Sequence, residues 1–217
     1  MQNLKLENVA PLTDADRIRD LESQIAVLRR ELLSLRIANS ELERVVERDT
    51  LTPLYNRRYL INAINDRLKR LERYGTRSIL VFVDVDGLKT INDTHGHGAG
   101  DYALIHIAAL LSVNVRTTDI VARIGGDEFA LILEELTKVE AQVKIDRLRQ
   151  VIAETPCDFN GASLTLGASF GMAVMLESDT DESLVARADA DMYGNKRKAR
   201  AGRSDASSSP RRRGSIS

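Results

Sequence analysis

The sequence predicts an α/β domain, with a sheet of mixed strand direction flanked by helices, preceded by a long coiled-coil helix. Three observations predict this fold class. From residue 49 onward, segments with helical spacing of apolar residues alternate with short apolar runs typical of strands. Two of those runs are joined by a Gly-Gly pair, which predicts a hairpin. A heptad repeat before residue 49 predicts the coiled coil.

The first element is a heptad repeat of apolar residues over positions 18 to 48. Its a positions are Ile18, Ile25, Leu32, Asn39 and Val46, and its d positions are Leu21, Leu28, Leu35 and Leu42. Such a pattern favours a parallel two-stranded coil, in which one asparagine at an a position fixes the register. We therefore expect residues 1 to 48 to form a non-repeating arm and a homodimerisation stalk about 45 to 50 Å long. The alternative is an amphipathic helix folded onto its own domain.

The later elements follow from the same periodicities. Apolar spacing predicts helices at 59–73, 101–113, 138–155 and 182–199. Apolar runs predict a buried strand at 78–85, a hairpin of 120–122 with 129–133, and a strand pair of 163–166 with 169–175. Residues 204 to 217 are rich in serine and contain three consecutive arginines, so we expect a disordered tail after a domain spanning 49 to 203.

Composition excludes several classes of protein. A net charge of -1 with 4% aromatic residues argues against a general nucleic-acid binder, which needs a basic face and stacking rings. No apolar run approaches the roughly 20 residues of a membrane span, and the N-terminus lacks a signal-peptide pattern. The single cysteine, Cys157, cannot form an intramolecular disulfide, which fits a reducing compartment. We expect a soluble, cytoplasmic protein.

The predicted hairpin carries two adjacent carboxylates. Asp127 and Glu128 directly follow Gly125 and Gly126, and glycine supplies the positive φ that tight hairpin turns require. We therefore expect a rigid acidic tip. Taken alone, such a tip is as compatible with a solvated turn as with a site.

A second acidic motif ends the predicted buried strand. Alternation along a strand places Asp84 and Asp86 on one face, with the Val85 carbonyl beside them. Carboxylates at the end of a buried strand are unfavourable unless they are paired, hydrogen-bonded or bound to a cation. Together with the hairpin carboxylates they would supply the hard oxygen ligands that Mg²⁺ prefers. The alternative is capping of the strand end by local hydrogen bonds.

Four motifs together resemble one family. They are the segment 84–101, which contains Asp84-Val85-Asp86-Gly87-Leu88-Lys89 and Asn92-Asp93-Thr94-His95-Gly96-His97, the heptapeptide Arg123–Phe129, the segment Asp49–Arg58, and Ala188–Tyr193 followed by Lys196. In order and spacing they resemble the GGDEF-domain diguanylate cyclases over about residues 49 to 203. The resemblance implies a fold similar to the polymerase palm.

The resemblance also implies an activity and a metal site. Two GTP molecules would condense to cyclic di-GMP with release of two pyrophosphates, at the interface of two GGDEF domains. By position, Asp84, the Val85 carbonyl, Asp127 and Glu128 would hold Mg²⁺, with Mn²⁺ able to substitute. Asp127 is also the position assigned as proton acceptor.

Substrate contacts are implied at further positions. Lys89, Lys196 and Arg200 match phosphate-contacting positions. The alternative for each is a solvated surface cation, and for Arg200 the two readings are equally compatible with the sequence. Asp101, Asn92 and His97 match positions that contact the nucleotide. One carboxylate at Asp101 would accept from both N1–H and the N2 amino group of guanine, which adenine cannot offer together. Asp101 could also act as a helix N-cap.

The resemblance implies regulation at one place, and the stalk suggests another. Arg116 and Asp119 match the family's product-inhibition motif, and Arg123 could assist them; the alternative is a routine structural turn. The stalk could also bind a regulatory partner protein. Two rival functions remain: a catalytically silent domain that senses nucleotide through Arg116 and Asp119, and a scaffold in which the coiled coil carries the function. The presence of Asp84, Asp127 and Glu128 favours the enzyme.

Overall fold

The protein is described by a computed structural model that covers residues 13 to 207, without the side chains of residues 16, 39–41, 43–45 and 198–207. The chain divides into two units, Met1–Val46 and Glu47–Ser217. Expectations for residues 1 to 12 and 208 to 217, and for the side chains of Asn39 and Arg200, lie outside the described residues.

The predicted N-terminal helix is confirmed. Helix α1 (Asp14–Glu47) is 34 residues long. Its a- and d-position side chains are between 44% and 69% exposed along the single chain. These are Ile18, Leu21, Ile25, Leu28, Leu32, Leu35, Leu42 and Val46. Pairing of this stripe with a second chain stays a prediction.

The predicted mixed sheet is also confirmed. Its five strands are β1 (Tyr55–Asn56), β2 (Ser78–Val85), β3 (Ile120–Arg123), β4 (Glu128–Glu134) and β7 (Ala168–Val174), in the spatial order β1-β3-β4-β2-β7. Strand β1 pairs parallel with β3, and the other three pairings are antiparallel. Strand β2 lies between β4 and β7, so its apolar run is buried on both faces.

Helices cover both faces of this sheet. Alternate residues of β2 contribute to two apolar cores: Val81 and Val83 face α4 (His97–Val113) and α5 (Lys138–Glu154), whereas Leu80 and Phe82 face α2 (Arg57–Tyr74) and α6 (Asp181–Ser207). Gly171 in β7 permits close packing on α6, because a Cβ there would lie 2.1 Å from the backbone nitrogen of Met192.

Helices α2 and α5 begin and end within two residues of the predicted positions, and capping interactions define their ends. The Asn56 side chain accepts from the backbone N–H of Tyr59 at the start of α2, and Gly75 ends that helix with a φ of 68°. Thr137 and Glu140 form a reciprocal capping box at the start of α5. None of the helices in the described residues is long and apolar enough to cross a membrane.

Two helical predictions need correction. Helix α3 (Leu88–His95) was not predicted, because its single buried residue, Ile91, gives no apolar stripe. Helix α4 begins at His97, four residues before the predicted start, with Gly96 as its N-cap residue. Asp101 therefore lies in the second turn of α4, and the alternative that it caps a helix is wrong.

The predicted strand pair of 163–166 with 169–175 is wrong in its first half. Strand β6 is Ala162–Ser163, and it pairs with β5 (Asp158–Phe159) in a separate two-stranded sheet. Leu164 and Leu166 are buried, but they lie in a loop, so their apolar pattern does not mark a strand. The Leu164 N–H donates to the Cys157 carbonyl at 2.8 Å. At the other end, α6 extends to Ser207, into the first residues of the expected tail.

Candidate active site

The register of β2 and β4 brings the two acidic motifs together. Asp84 in β2 is the direct partner of Glu128, the first residue of β4, and both side chains are half-buried. The Val85 N–H donates to the Asp127 carbonyl oxygen at 2.9 Å. Asp127 is therefore held just beyond the ladder, beside the two paired carboxylates.

The hairpin requires glycine at position 125 because a larger residue would not fit there. Gly125 and Gly126, both in the described chain, lack the positive φ that the sequence argument assigned to them, so that argument is wrong. A Cβ on Gly125 would instead lie 2.4 Å from Glu128 Oε2. The turn is closed by the Ile124 N–H, which donates to the Glu128 carbonyl oxygen at 2.9 Å. The missing side chain thus makes room for the Glu128 carboxylate.

The site is electrostatically strained. Burial raises the pKa of the Glu128 carboxyl above its ordinary value of 4.5. The carboxylates of Asp127, Asp84 and Asp189 raise this pKa further, in that order. The Arg57 guanidinium opposes the rise. Like charges this close favour a cation among them.

Lys196 supplies positive charge at one of these carboxylates. Its Nζ, carried by α6, donates to Asp84 Oδ1 at 2.5 Å, and the two side chains are 24% and 18% exposed. The family resemblance implies a contact of Lys196 with a substrate phosphate. In the structure it contacts the acidic site itself, and Asp84 is its partner.

The acidic residues fit a divalent cation by their donor chemistry. Among the described residues, no three acidic, histidine or cysteine side chains are arranged to hold a metal ion. The carboxylates of Asp84, Asp127 and Glu128 are nevertheless the hard oxygen ligands that Mg²⁺ prefers. They also repel one another, because Asp127 and Asp84 both contribute to the raised pKa of Glu128. These residues and the Val85 carbonyl are the ones that would hold the ion.

Asp86 has a separate environment. It lies in the turn after β2, where its carboxylate accepts from Ser169 Oγ at 2.9 Å and its N–H donates to the Gly167 carbonyl at 2.9 Å. These contacts tie the end of β2 to the start of β7. They support the local capping alternative for Asp86.

The residues expected to contact the nucleotide lie on α3 and α4. Asn92 is half-buried in α3, whereas His97 and Asp101 are exposed on the first two turns of α4. Gly96, with a φ of 83°, joins the two helices. Lys89 is exposed on α3, and Arg200 lies on α6 with its side chain outside the described residues.

In the Arg116–Asp119 turn, Asp119 is buried and hydrogen-bonded within the fold, whereas Arg116 is exposed. The Asp119 side chain is 1% exposed, and it accepts from the N–H groups of Arg116 at 2.9 Å and Glu134 at 3.2 Å, and from Lys144 Nζ at 3.2 Å. Arg116 lines a cavity of about 500 Å³ together with Lys144 and Arg147. These two cations were missed, although their spacing of three places them on one face of α5.

Arg123 has other partners than those expected. Its guanidinium donates to Asp49 Oδ1 at 3.1 Å and to the Gly126 carbonyl at 2.8 Å, and it is absent from the described lining of the cavity beside Arg116. Burial alone would raise the pKa of Asp49, but hydrogen bonds from Thr52 and Arg123 lower it overall. Arg123 thus links the hairpin tip to the start of the domain rather than to Arg116.

Sequence reasoning also gave no role to two residues beside Glu128. Arg57 and Asp189 line a cavity of about 390 Å³ with Glu128. Both belong to motifs that carried the family resemblance, so position in those motifs was the available signal.

Comparison with known proteins agrees with this geometry. Residues 46–202 match the family model described as diguanylate cyclase, GGDEF domain. A bifunctional diguanylate cyclase/cyclic di-GMP phosphodiesterase, MucR of Pseudomonas aeruginosa, is 35% identical over 84% of this chain. The diguanylate cyclase DosC of Escherichia coli K12 is 36% identical over 85% of it. The chain spans 26% and 39% of the lengths of these two relatives.

Two crystal structures are similar over most of the chain. Diguanylate cyclase SiaD of Pseudomonas aeruginosa, in complex with its activator SiaC, has a TM-score of 0.73 and 32% identity, and the match covers 84% of this chain and 70% of that one. The coiled coil and GGDEF domain of DgcB from Caulobacter crescentus, in complex with c-di-GMP, has a TM-score of 0.75 and 26% identity, with 82% and 95% covered. The chain therefore belongs to the GGDEF diguanylate cyclase family.

Proposed function

We propose that this chain condenses two GTP molecules into cyclic di-GMP and two pyrophosphates. Each 3′-hydroxyl would attack the α-phosphate of the other nucleotide. The observation that carries the proposal is the pairing of Asp84 with Glu128 across β2 and β4, with Asp127 held beside them. The three acidic residues that the reaction needs all lie at this end of β2 and β4.

The chain's own residues would position and deprotonate the substrate. Asp127, at the hairpin tip, would accept the proton of the 3′-hydroxyl. Lys196 and the exposed Lys89 would offset phosphate charge, and Arg200 is proposed for the same role. Mg²⁺ held by Asp84, the Val85 carbonyl, Asp127 and Glu128 would neutralise charge that develops on the phosphates. Mn²⁺ would offer the same charge to the same oxygen ligands.

Base recognition is proposed for Asp101, Asn92 and His97. The Asp101 carboxylate would accept from N1–H and the N2 amino group of guanine, and its exposure on α4 leaves it accessible. Adenine has an acceptor at N1, so Asp101 would be left unpaired against it.

A homodimer would bring two half-sites together. The exposed a- and d-position stripe of α1 supports a parallel coiled coil, which would raise the effective concentration of the two domains. The DgcB structure likewise contains a coiled coil and a GGDEF domain. A regulatory protein on the stalk is proposed by analogy with the activator complex of SiaD. We also propose feedback inhibition by cyclic di-GMP at Arg116 and its neighbours.

The test is product formation from GTP with Mg²⁺, by wild type, Asp127→Asn and Asp66→Asn. Asp66 is an exposed residue of α2, so its variant makes the same charge change away from the site. Wild type and Asp66→Asn should form cyclic di-GMP, and Asp127→Asn should not. An amide can neither accept the proton nor balance cation charge.

Other outcomes separate the rival functions. Guanine-nucleotide binding without turnover by wild type would indicate a sensing domain and overturn the cyclase proposal. Neither binding nor turnover would indicate a scaffold. Near-normal turnover by Asp127→Asn would remove Asp127 from the mechanism.

A further inference from the structure

Strand β7 lies at the edge of the sheet, and side chains of α6 cover its outer edge. In the described chain β7 pairs with β2 alone. Alternate residues of such a strand direct their backbone N–H and C=O groups away from the partner strand. Three of these outward groups meet α6 instead. The Phe170 carbonyl accepts from Asn195 Nδ2 at 3.1 Å, the Met172 N–H donates to Asp191 Oδ2 at 2.9 Å, and the Val174 carbonyl accepts from Arg187 Nη2 at 2.7 Å.

The three residues of α6 form one stripe, which we call the α6 polar stripe. Arg187, Asp191 and Asn195 are spaced by four positions, so they lie on one face of the helix. Four helix residues advance about 6 Å along the helix, and two strand residues advance about 6.8 Å, so helix and strand stay in step over three contacts. A shift of α6 by one residue would break all three hydrogen bonds. The stripe therefore fixes the position of α6 along β7.

The apolar face of the same helix has a different task. Leu184, Ala188 and Met192 are buried in the core on this side of the sheet, whereas the residues of the α6 polar stripe are exposed. Burial of apolar surface supplies free energy of docking but is non-directional. Exposed hydrogen bonds add little net stability, but their geometry is specific. The stripe thus places the helix, and the apolar face holds it.

Lys196 directly follows the last residue of the stripe. Asn195 binds the carbonyl of Phe170, and the neighbouring Ser169 is the partner of Asp84 in the pairing of β7 with β2. Lys196 therefore leaves α6 at the level of Asp84, and its Nζ contacts Asp84 Oδ1 at 2.5 Å. We propose that Asp191 and Asn195 are positioning residues that hold the Lys196 ammonium group at the acidic site. Any effect on phosphate binding rests on the proposed function, whereas the placement of Lys196 does not.

The test measures how fast acetic anhydride modifies the Lys196 amino group in the whole chain, without metal or nucleotide. Mass spectrometry reads the modification, with the exposed Lys89 as internal reference. Asp191→Ala and Asn195→Ala should each raise the modification rate of Lys196 about two- to fivefold, the range expected when a partly exposed ion pair is lost. Asp84→Ala, which removes the partner of Lys196, sets the upper limit.

Two control variants separate positioning from other effects. Asp191→Asn makes the same charge change as Asp191→Ala, but its amide oxygen can still accept from the Met172 N–H, so it should behave as wild type. Ser183→Ala removes side-chain hydrogen bonds at the start of α6, far from Lys196, and should also behave as wild type.

The outcomes decide the inference and the cyclase proposal separately. Unchanged reactivity of Lys196 in both alanine variants would overturn the inference. A rise in Asp191→Asn or Ser183→Ala equal to that in Asp191→Ala would also overturn it, because charge or general loosening of α6 would then explain the effect. With GTP, Asp191→Ala should raise KM in the wild-type background but not in Lys196→Met, and equal increases would make the stripe merely structural. A wild type that shows the expected modification pattern but makes no product would overturn the cyclase proposal alone.

Discussion

Lys196 Nζ and Asp84 Oδ1 lie 2.5 Å apart, so the ammonium group of a lysine on α6 forms an ion pair with the carboxylate at the end of β2. The same carboxylate is a proposed ligand of Mg²⁺, and the same ammonium is a proposed contact of the substrate phosphates. The ammonium and a metal ion would compete for the negative charge of this carboxylate, because two cations close together repel each other. Metal binding at Asp84 would therefore release Lys196 toward the phosphates.

Removing the Lys196 charge should tighten metal binding in the absence of nucleotide. We expect Lys196→Met to bind Mn²⁺ roughly fivefold more tightly than wild type, equivalent to about 1 kcal/mol for such a partly exposed ion pair. Lys89→Met, which removes a charge from an exposed residue of α3, should bind Mn²⁺ as wild type does. Calorimetric titration with Mn²⁺ measures this. Weaker binding by Lys196→Met would show that the ammonium supports the metal site instead of competing with it.

The raised pKa of Glu128 predicts a pH-dependent loss of stability. Because the folded protein holds this proton more tightly than the unfolded chain, the contribution is complete below pH 4.5 and is lost as pH rises through the folded-state pKa. In the presence of a chelator, Glu128→Gln should therefore gain stability over wild type as pH rises from 4.5 to neutral. Urea unfolding across this range tests it, with the exposed Glu72→Gln as control. A constant difference between Glu128→Gln and wild type would contradict the assignment.

The two ends of the Arg116–Asp119 turn should respond differently to truncation. Asp119→Ala leaves the Lys144 ammonium and two backbone N–H groups without their acceptor, and should destabilise the fold by about 2 to 4 kcal/mol. Arg116→Ala should leave stability unchanged and relieve inhibition by cyclic di-GMP. Denaturant unfolding and initial rates with added product measure the two effects. Equal product sensitivity of Arg116→Ala and wild type would make the whole motif a structural turn.

A pair of leucine variants tests the stalk. Leu28, at a d position, and Leu33, outside the a and d positions, are 61% and 59% exposed in the single chain. Leu28→Asp should weaken dimerisation at least about 10-fold, because it buries a charge in the seam. Leu33→Asp should not. Sedimentation across a dilution series measures this, and specific activity of Leu28→Asp should fall most at low concentration. Equal effects of both variants would place the dimer contact elsewhere.

Sequence patterns predicted the features that depend on residues close together in the chain. The bounds of β2 follow from an uninterrupted apolar run, and the carboxylates of Asp84 and Glu128 could be placed near each other from two motifs alone. The contact of Lys196 with Asp84 could not be predicted, because it depends on how α6 packs against β7 through Gly171. Likewise, Arg123 and Asp49 are far apart in the sequence, and only the folded hairpin makes them partners.

The reason for glycine in the hairpin was misjudged from sequence. Gly125 lacks the positive φ that the sequence argument assigned to it, and its small size is needed beside Glu128 instead. Gly100, for which no prediction was made, likewise leaves space for the side chain of Asn92. Such requirements arise from side chains at other positions, so composition and spacing do not reveal them.

The pairing of Asp84 with Glu128 determines which mutations the hairpin can absorb. A point substitution at the tip changes a functional group but leaves the ladder between β2 and β4 intact. An insertion or deletion between Arg123 and Glu128 must be absorbed by the turn or by the ladder. A one-residue slip of the ladder moves every side chain of β4 to the opposite face. Substitutions at the tip therefore alter function without shifting the strands, whereas a change in the length of the tip endangers the register of β4.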